Sequence, residues 1–554
     1  MEDHNKCLED IEAAMMFGYP EDMQYKLMDR KGRCLLRSRR DFEAQEALEM
    51  ASLLVQKSKL SSEDKLKFKQ DIKNSISTGQ EAGLRTEAAE EEEVQVRFDP
   101  HPCIPGLSAK LEVRHEAGRG RHSVAVTEIA PGEAVCEDSP VTWCLSHNHA
   151  RTHCHHCCRG LAGARAGGYP SPLSRSETVV FCSLACLQEA ASSYHRHEAA
   201  LPLSHIFSIE AGSGTAAVAG AGGRGGYDEI SGAVMMAVRV ITQNTAGFFT
   251  SKDWLAGARQ SHVPAEVCDD DDREYRYRAL FNMVTHHEDR GDVDLLSTTM
   301  KSVFILQLLE AMGFCSLQDN LATLGPVIFH LLEVGLYNIS YRLSINTIPI
   351  QVIQYNSHPL DSVLGDRVDP GQNVQLVEVG SAVYPSLATS CNHSCDPATL
   401  RITRGNKVGK YGNLNTMLDV MCLCQVTMFA RRRLEAGDEV TDCYGFHYTS
   451  LPCAERRSRL ERWFRFRCEC CACAGGYPVM GQLGSALSQT SLDALKTLLE
   501  KFQWALKNGQ EKKSLDFSIK YLKKMASLNV PRPHKAWEAG SHALTCALWA
   551  VYKV

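Results

Sequence analysis

Cysteine constrains this chain more than any other residue type, because 23 of its 554 residues are cysteines and several of them are clustered. One cluster lies between Cys154 and Cys186, and a second between Cys468 and Cys473. The opening residues, Met1 to His4, are polar and do not resemble a secretory signal, so we expect an intracellular chain with reduced thiols. Clustered reduced thiols usually bind metal, whereas scattered ones are usually buried as small apolar groups.

The first cluster offers four thiolates in two close pairs, Cys154-His-His-Cys157 and Cys182-Ser-Leu-Ala-Cys186. Zinc prefers four soft ligands in a tetrahedron, and such short spacings let one turn supply two of them. The spacing therefore predicts a zinc site, and the alternative is two unrelated pairs of buried cysteines. Histidines near these thiols are further ligand candidates, although most of them are expected in solvent. They are His153, His155, His156, His195 and His197.

The second cluster, Cys468-Glu-Cys470-Cys-Ala-Cys473, supplies three thiols and needs a fourth ligand from elsewhere. Cys395 is the best candidate, but spacing alone does not decide the choice. The competing thiols are Cys391, Cys443 and Cys471. The sequence therefore predicts a second zinc site with one ligand left open.

The overall composition is that of an ordinary globular protein, with 44% apolar residues, 23% charged residues and a net charge of −6. A mildly acidic chain without a basic stripe gives no reason to expect direct nucleic-acid binding. The longest apolar candidate, Gly232 to Ile241, contains Arg239 and falls short of the roughly 20 residues that span a bilayer. We therefore expect no membrane segment.

Helical and strand-like patterns occupy separate stretches of the chain, which predicts an α+β fold. The helical patterns cover residues 1–80, 230–335 and the stretch after Thr490. Strand-like runs are Leu111–Val113, Ser123–Val126, Val374–Tyr384 and Met417–Phe429. Residues 211–226 are rich in glycine and alanine and are predicted to form a linker.

Three motifs resemble those of SET domains. Asn392-His-Ser-Cys-Asp-Pro397 looks like the NHSCxP signature, and Gly437-Asp-Glu-Val-Thr-Asp-Cys-Tyr444-Gly resembles the motif that ends in the active-site tyrosine. Ala117-Gly-Arg-Gly120, followed by Ile129-Ala-Pro-Gly-Glu133, resembles the first strand and turn of the domain. The order and separation of these motifs make the resemblance specific.

The first cysteine cluster stands between the two SET halves, as a MYND zinc finger does in the SET and MYND domain (SMYD) family. Cys468, Cys470 and Cys473 match that family's post-SET zinc ligands, with Cys395 as the fourth. Residues 7–48 resemble the tetratricopeptide region of longer family members.

The resemblance implies a split SET domain of short β-sheets with an inserted MYND-type finger and a helical insert, flanked by helical, tetratricopeptide-like regions. The expected regions are 1–95 (tetratricopeptide-like helices and acidic linker), 105–150 (N-terminal SET portion), 151–199 (partly degenerate MYND finger), 200–350 (linker and helical insert), 351–450 (C-terminal SET portion), 451–480 (post-SET motif) and 481–554 (C-terminal helices).

The resemblance also implies S-adenosylmethionine as cofactor and zinc as structural metal. Tyr444 would direct its hydroxyl at the methyl-transfer point. The implied cofactor contacts are Gly118, Arg119, Gly120, Asn338, Asn392, His393 and Phe466. The implied zinc ligands are Cys154, Cys157, Cys182 and Cys186 in one site and Cys395, Cys468, Cys470 and Cys473 in the other. A plain turn or helix-end residue is the alternative for Asn338.

The activity that follows is protein-lysine N-methylation of a histone or non-histone protein in the cytoplasm and nucleus. Partner proteins would be bound by the finger and the helical regions. Two departures favour an alternative, a catalytically weak or inactive interaction adaptor. Phe464 stands where the family often has a tyrosine, and the second metal site of the finger lacks its Cys-x-x-Cys pair and its last cysteine, where Ala199 stands.

Overall fold

The computed structural model of the chain describes residues 7–8, 10–11, 14, 19–37, 41–61, 63–72, 98–145, 149–158, 160–161, 168–174, 178–199, 226–250, 254–255, 272–336, 348–357, 373–404 and 425–552. Helices and short strands are mixed along these residues, so the predicted α+β class is confirmed. No helix of the described ranges is long and apolar enough to cross a membrane.

The bounds of the elements follow in chain order. The helices are α1 (Gln24–Arg37), α2 (Asp41–Leu54), α3 (Leu184–Ser192), α4 (His195–Glu198), α5 (Gly226–Thr242), α6 (Ala246–Thr250), α7 (Asp272–Phe281), α8 (Asp292–Ala311), α9 (Leu317–Asn320), α10 (Leu324–Leu331), α11 (Pro385–Ser390), α12 (Cys453–Phe464), α13 (Cys471–Ala474), α14 (Gln489–Lys507), α15 (Glu511–Ser527) and α16 (Lys535–Val551). The strands are β1 (Leu111–Glu116), β2 (Gly120–Ala125), β3 (Ala134–Asp138), β4 (Thr142–Leu145), β5 (Tyr169–Pro170), β6 (Val180–Phe181), β7 (Ile348–Ser357), β8 (Asn373–Val383), β9 (Asn392–His393), β10 (Thr399–Arg404), β11 (Gln425–Ala430) and β12 (Glu439–Asp442).

The chain divides into two compact units. The first contains Met1–Glu93, Leu161–Tyr169 and Phe181–Glu189, and the second contains the rest. In the first unit, α1 and α2 share an apolar core that includes Met28 and Leu48. Gly32 allows the close approach of the two helices, because a Cβ there would lie 2.4 Å from Cγ of Leu48.

The second unit contains a four-stranded sheet in the order β1-β2-β12-β9. β1 and β2 form the antiparallel hairpin predicted around residues 117–120, with Glu116 opposite Gly120. β12 pairs with β2 in antiparallel orientation and with β9 in parallel orientation, where Thr441 lies opposite Asn392. This sheet joins three motifs that are far apart in the sequence.

Two further three-stranded sheets carry the helices of the second unit. The sheet β10-β11-β3 packs its apolar side chains, such as Ile402 and Phe429, into a common core with α14, α15 and α16. The sheet β4-β8-β7 adjoins the insert, where buried residues of α5, α8 and α10 form a second core with Val383. The helical insert and the C-terminal helices thus have separate apolar cores.

Several predicted elements match the structure. The helical pattern after Thr490 corresponds to α14, α15 and α16, and the run Val374–Tyr384 corresponds to β8. The predicted strand Met417–Phe429 is described only from Gln425, where β11 begins. Residues 211–225 of the predicted linker lie outside the described residues, whereas Gly226 already belongs to α5.

Candidate active site and metal centres

The turn between β1 and β2 meets the segment that contains Asn392. The side-chain amide of Asn392 donates a hydrogen bond to the carbonyl oxygen of Arg119 at 3.0 Å. Gly118 and Gly120 have φ of +82° and +66°, and, apart from their chain neighbours, no heavy atom of the described residues lies within 4 Å of the point where a Cβ would stand at either position. Side chains other than glycine would be strained there and would fill this space, so the turn leaves its backbone open to a ligand.

His393 is held between this segment and Tyr444. The backbone N–H of Tyr444 donates to Nδ1 of His393 at 3.0 Å, so Nδ1 is an acceptor and the ring proton belongs on Nε2. Burial lowers the pKa of His393 to about 3, which keeps the ring neutral and agrees with that assignment. The ring of Phe466 lies 6.1 Å from the imidazole, centroid to centroid.

The hydroxyl of Tyr444 donates to the carbonyl oxygen of Cys391 at 2.8 Å. Burial raises the pKa of Tyr444 well above its ordinary value, so the hydroxyl stays protonated. Its ring packs against Phe464 with centroids 5.1 Å apart, and Phe464 is itself buried. The ring of Phe464 therefore packs beside the tyrosine whose hydroxyl the family resemblance assigns to the methyl-transfer point.

The four predicted thiols of the second cluster come together beside these residues. The sulfur of Cys395 lies 3.6 Å from that of Cys473 and 4.0 Å from that of Cys468, and the backbone N–H of Cys395 points to the sulfur of Cys470 at 3.3 Å. All four sulfur atoms lie within 4.8 Å of one another. Four such soft donors fit zinc, so this group could hold one zinc ion.

The thiols that competed with Cys395 in the sequence, Cys391, Cys443 and Cys471, are not among these four sulfur atoms. Cys391 is buried with its sulfur 3.9 Å from that of Met428, and Cys471 is exposed. The structure therefore favours Cys395 as the fourth member of the cluster.

In the first cluster, the sulfur atoms of Cys182 and Cys186 lie 3.6 Å apart. With Cys154 and Cys157, which the sequence predicts as their partners, they are a donor set that fits a second zinc ion. Of the predicted site residues, only Asn338 lies outside the described residues.

A buried charge network around Asp396 was not predicted from the sequence. Asp396 accepts hydrogen bonds from Arg431 at 3.1 Å and from Arg532 at 2.9 Å. Arg431 also donates to Glu538 of α16 at 2.5 Å, and the hydroxyl of Tyr448 donates to the same carboxylate at 2.7 Å. Burial alone would raise the pKa of Asp396, but Arg532 and Arg431 outweigh it and lower that pKa. The network joins the NHSCDP segment to the C-terminal helices.

We expect two zinc ions per chain, one for each cluster of four thiols. Elemental analysis of the purified full chain, with protein quantified by amino-acid analysis, measures the ratio directly. Three ions per chain would contradict this count and would mean that groups such as His155 or Cys158 complete a further site.

The sequence of the chain is similar to those of several known proteins. No family model matches the chain. The human protein-lysine N-methyltransferase SMYD4 is 23% identical over 526 residues, which cover 85% of this chain and 60% of that protein. The mouse histone-lysine N-methyltransferase SMYD3 is 32% identical over 102 residues, covering 18% of this chain and 19% of that protein. A SET and MYND domain-containing protein of Dictyostelium discoideum is 32% identical over 123 residues, covering 22% of this chain and 8% of that protein. The chain thus spans about 60% of the length of the SMYD4 protein that it matches.

Proposed function

Because the chain belongs to the SET and MYND domain family, we propose that it is an S-adenosylmethionine-dependent protein-lysine N-methyltransferase. Its substrate would be a lysine side chain of a histone or non-histone protein. The same proposal places the protein in the cytoplasm and nucleus, with partner proteins bound by the finger and the helical regions. Fractionation of cells followed by immunodetection tests the location.

The observation that carries the proposal is the meeting of three distant segments at one sheet edge. The bond from Asn392 to Arg119 links the glycine turn to β9, and the bond from Tyr444 to His393 links β9 to the segment after β12. Phe466 adds an aromatic face to the same group. Glycine backbone, amide, imidazole and aromatic ring together suit a cofactor with an adenine ring and charged groups.

The donor set fits S-adenosylmethionine. The open space at Gly118 and Gly120 would admit the cofactor against the backbone, with Asn392 and His393 as polar contacts and Phe466 as a stacking surface. When bound, the cofactor supplies an activated methyl group on a sulfonium. The chain itself supplies no nucleophile and acts by positioning the amine, which can contribute several kcal/mol.

Tyr444 would orient the amine of the substrate. Its hydroxyl proton is used in the bond to Cys391, so the hydroxyl oxygen is left to accept a hydrogen bond from an amine N–H. That contact directs the nitrogen lone pair away from the tyrosine. Burial beside Phe464 removes water from the amine, and this desolvation favours the neutral form that can react.

One observation favours the alternative of a catalytically weak adaptor. Phe464 offers no hydroxyl where a second hydrogen bond to the amine would otherwise be available. The loss of one catalytic hydrogen bond can reduce a rate by about two to three orders of magnitude. An adaptor would still bind the cofactor, because the residues around Asn392 are unaffected.

Calorimetric titration with S-adenosylmethionine and with its demethylated product tests the cofactor part of the proposal. We expect both to bind with one site per chain, and Asn392→Ala to weaken both. Asn508→Ala, which removes an exposed amide at the end of α14, is the matched control and should bind as the native chain does. A native chain that binds neither ligand would rule out the proposal.

Transfer of labelled methyl groups to proteins of a cell lysate tests the catalytic part. We expect labelled lysine in at least one protein, found by mass spectrometry. Cofactor binding without any transfer would support the adaptor instead.

Removal of the zinc held by Cys395 should weaken cofactor binding as well as folding. Nε2 of His393 lies 3.3 Å from the sulfur of Cys395, so one short segment carries both a metal ligand and a cofactor contact. Cys395→Ser should therefore lose about one zinc ion and reduce cofactor affinity by about tenfold to a hundredfold. Titration calorimetry measures the affinity and elemental analysis the metal.

Cys315→Ser is the control for that prediction, because Cys315 belongs to neither cluster. It should retain the zinc count and the affinity of the native chain. Unchanged affinity in a folded Cys395→Ser chain that has lost its zinc would show that the two sites are independent.

A further inference from the structure

The resemblance to a MYND finger implies that the second metal site closes with a His-x-x-x-Cys pair, and His195 stands at its histidine, four residues before Ala199. Both ring nitrogens of His195 already have hydrogen-bond partners. Nε2 lies 2.7 Å from the hydroxyl of Ser171, and Nδ1 lies 3.1 Å from Oε1 of Glu198. Ser171 belongs to the segment that stands where a second Cys-x-x-Cys pair would be expected. The three side chains are buried, so these contacts are shielded from water.

His155, His195 and Glu198 are close enough together to ligate a metal, since one ligand atom of each lies within 4.8 Å of the others. The guanidinium of Arg239 lies beside these three residues. Nε of Arg239 donates to Oε2 of Glu198 at 3.0 Å, and Nη2 donates to Oε1 at 3.1 Å. Nη2 also lies 2.8 Å from Nε2 of His155. The carboxylate of Glu198 therefore receives a two-point contact, the geometry in which guanidinium binds carboxylate best.

Two further contacts stabilise the guanidinium of Arg239. Its Nη1 donates to the carbonyl oxygen of Trp143 at 2.9 Å, and its central carbon lies 4.3 Å from the ring centroid of Tyr194. The side chains of Arg239 and Glu198 are 1% and 0% exposed. A buried charge needs this degree of pairing to be tolerated, and the pair is complete without any further ion.

A divalent metal does not fit this group as it stands. The guanidinium lies at hydrogen-bond distance from two of the three candidate ligands, so a metal would be placed next to a fixed positive charge. The only anionic ligand, Glu198, is already neutralised. Zinc also prefers thiolate or imidazole donors with a free lone pair, and both nitrogens of His195 are occupied.

We propose that the guanidinium of Arg239 takes the place of the second metal ion of the finger. The finger then binds one zinc ion. The group of His155, His195 and Glu198, where a second ion would otherwise bind, is stabilised by the ion pair between Glu198 and Arg239 of α5. Val238 and Val240, on either side of Arg239, are buried in the core of that insert. Through Arg239, the group around Glu198 is connected to an apolar core, so we expect its structure to form without a second zinc ion.

The number of zinc ions per chain distinguishes this proposal from the alternative that His195 and its neighbours bind a second zinc ion. In the full chain, His195→Ala should leave the zinc count at the native value, whereas Cys154→Ser should lower it by one. A lower count in His195→Ala, in soluble protein that retains native circular dichroism, would overturn the proposal.

Thermal unfolding tests the role of Arg239. Arg239→Met should lower the melting temperature strongly, because Glu198 is left buried without its partner. The double variant Arg239→Met with Glu198→Gln removes both charges and should recover a large part of the loss. Arg433→Met is the control, since Arg433 is 53% exposed and pairs with an exposed carboxylate, that of Glu128, so its removal should leave the melting temperature nearly unchanged. An Arg239→Met chain that melts as the native one does would overturn the proposal.

Added zinc gives a third readout. An excess of zinc should not raise the melting temperature of the native chain, because Arg239 blocks the position. In Arg239→Ala the block is removed while the candidate ligands remain, so excess zinc should raise the melting temperature and increase the bound zinc by about one ion per chain. Stabilisation of the native chain by excess zinc that His195→Ala abolishes would overturn the proposal. If Arg239→Ala does not fold, the zinc count of His195→Ala decides.

Discussion

Tyr444→Phe should lower the rate of methyl transfer by about a hundredfold to a thousandfold and leave cofactor affinity nearly unchanged. The ring still packs against Phe464, so the shape of the site is kept. The lost hydroxyl removes the bond to Cys391 and, with it, the oxygen that would orient the amine. Because the hydroxyl would contact the amine and not the cofactor, its loss lowers the rate of methyl transfer and not the affinity for the cofactor. Single-turnover assays and titration calorimetry measure the two quantities separately.

Phe464→Tyr is the converse experiment. It restores a hydroxyl next to Tyr444 and should raise the rate or change the number of methyl groups transferred. Tyr19→Phe removes a hydroxyl from the first unit and should change neither rate nor affinity. If the native chain and Phe464→Tyr both bind cofactor but transfer no methyl group, the enzyme hypothesis fails and the adaptor remains.

Arg431→Met should lower the free energy of unfolding of the second unit by about 3–5 kcal/mol. Arg431 is 7% exposed and lies between two buried carboxylates, those of Asp396 and Glu538. Among the described residues, its removal leaves Glu538 with the hydroxyl of Tyr448 as its hydrogen-bond donor, whereas Asp396 keeps its contact with Arg532. A buried carboxylate without a cationic partner is costly, which is the source of the expected loss. Denaturant unfolding followed by tryptophan fluorescence measures the change.

Two variants separate the buried network from surface charge. Arg433→Met removes an arginine that is 53% exposed and pairs with Glu128, and it should change stability by less than about 1 kcal/mol. Arg431→Met combined with Glu538→Gln removes the stranded charge and should be more stable than Arg431→Met alone. Equal losses in Arg431→Met and Arg433→Met would show that the network contributes no more than a surface pair.

The sequence by itself determined those features of the protein that depend only on residues close together along the chain. The spacing of Cys468, Cys470 and Cys473 predicts a metal cluster because one short turn can direct three thiols to one point. The hairpin around Gly118 follows from glycine, which adopts positive φ more readily than any other residue. The α+β class follows from apolar periodicity, which depends only on neighbouring positions.

Tertiary structure decided which distant groups meet. The sequence left four thiols in competition for the second cluster, and the parallel pairing of β9 with β12 brings Cys395 to it. The carboxylate partner of Arg431 lies 107 residues away in α16, and Arg239 lies 41 residues from Glu198. No periodicity or spacing rule reaches across such separations, because the energy of a buried ion pair depends on desolvation and geometry that arise only when the chain is folded.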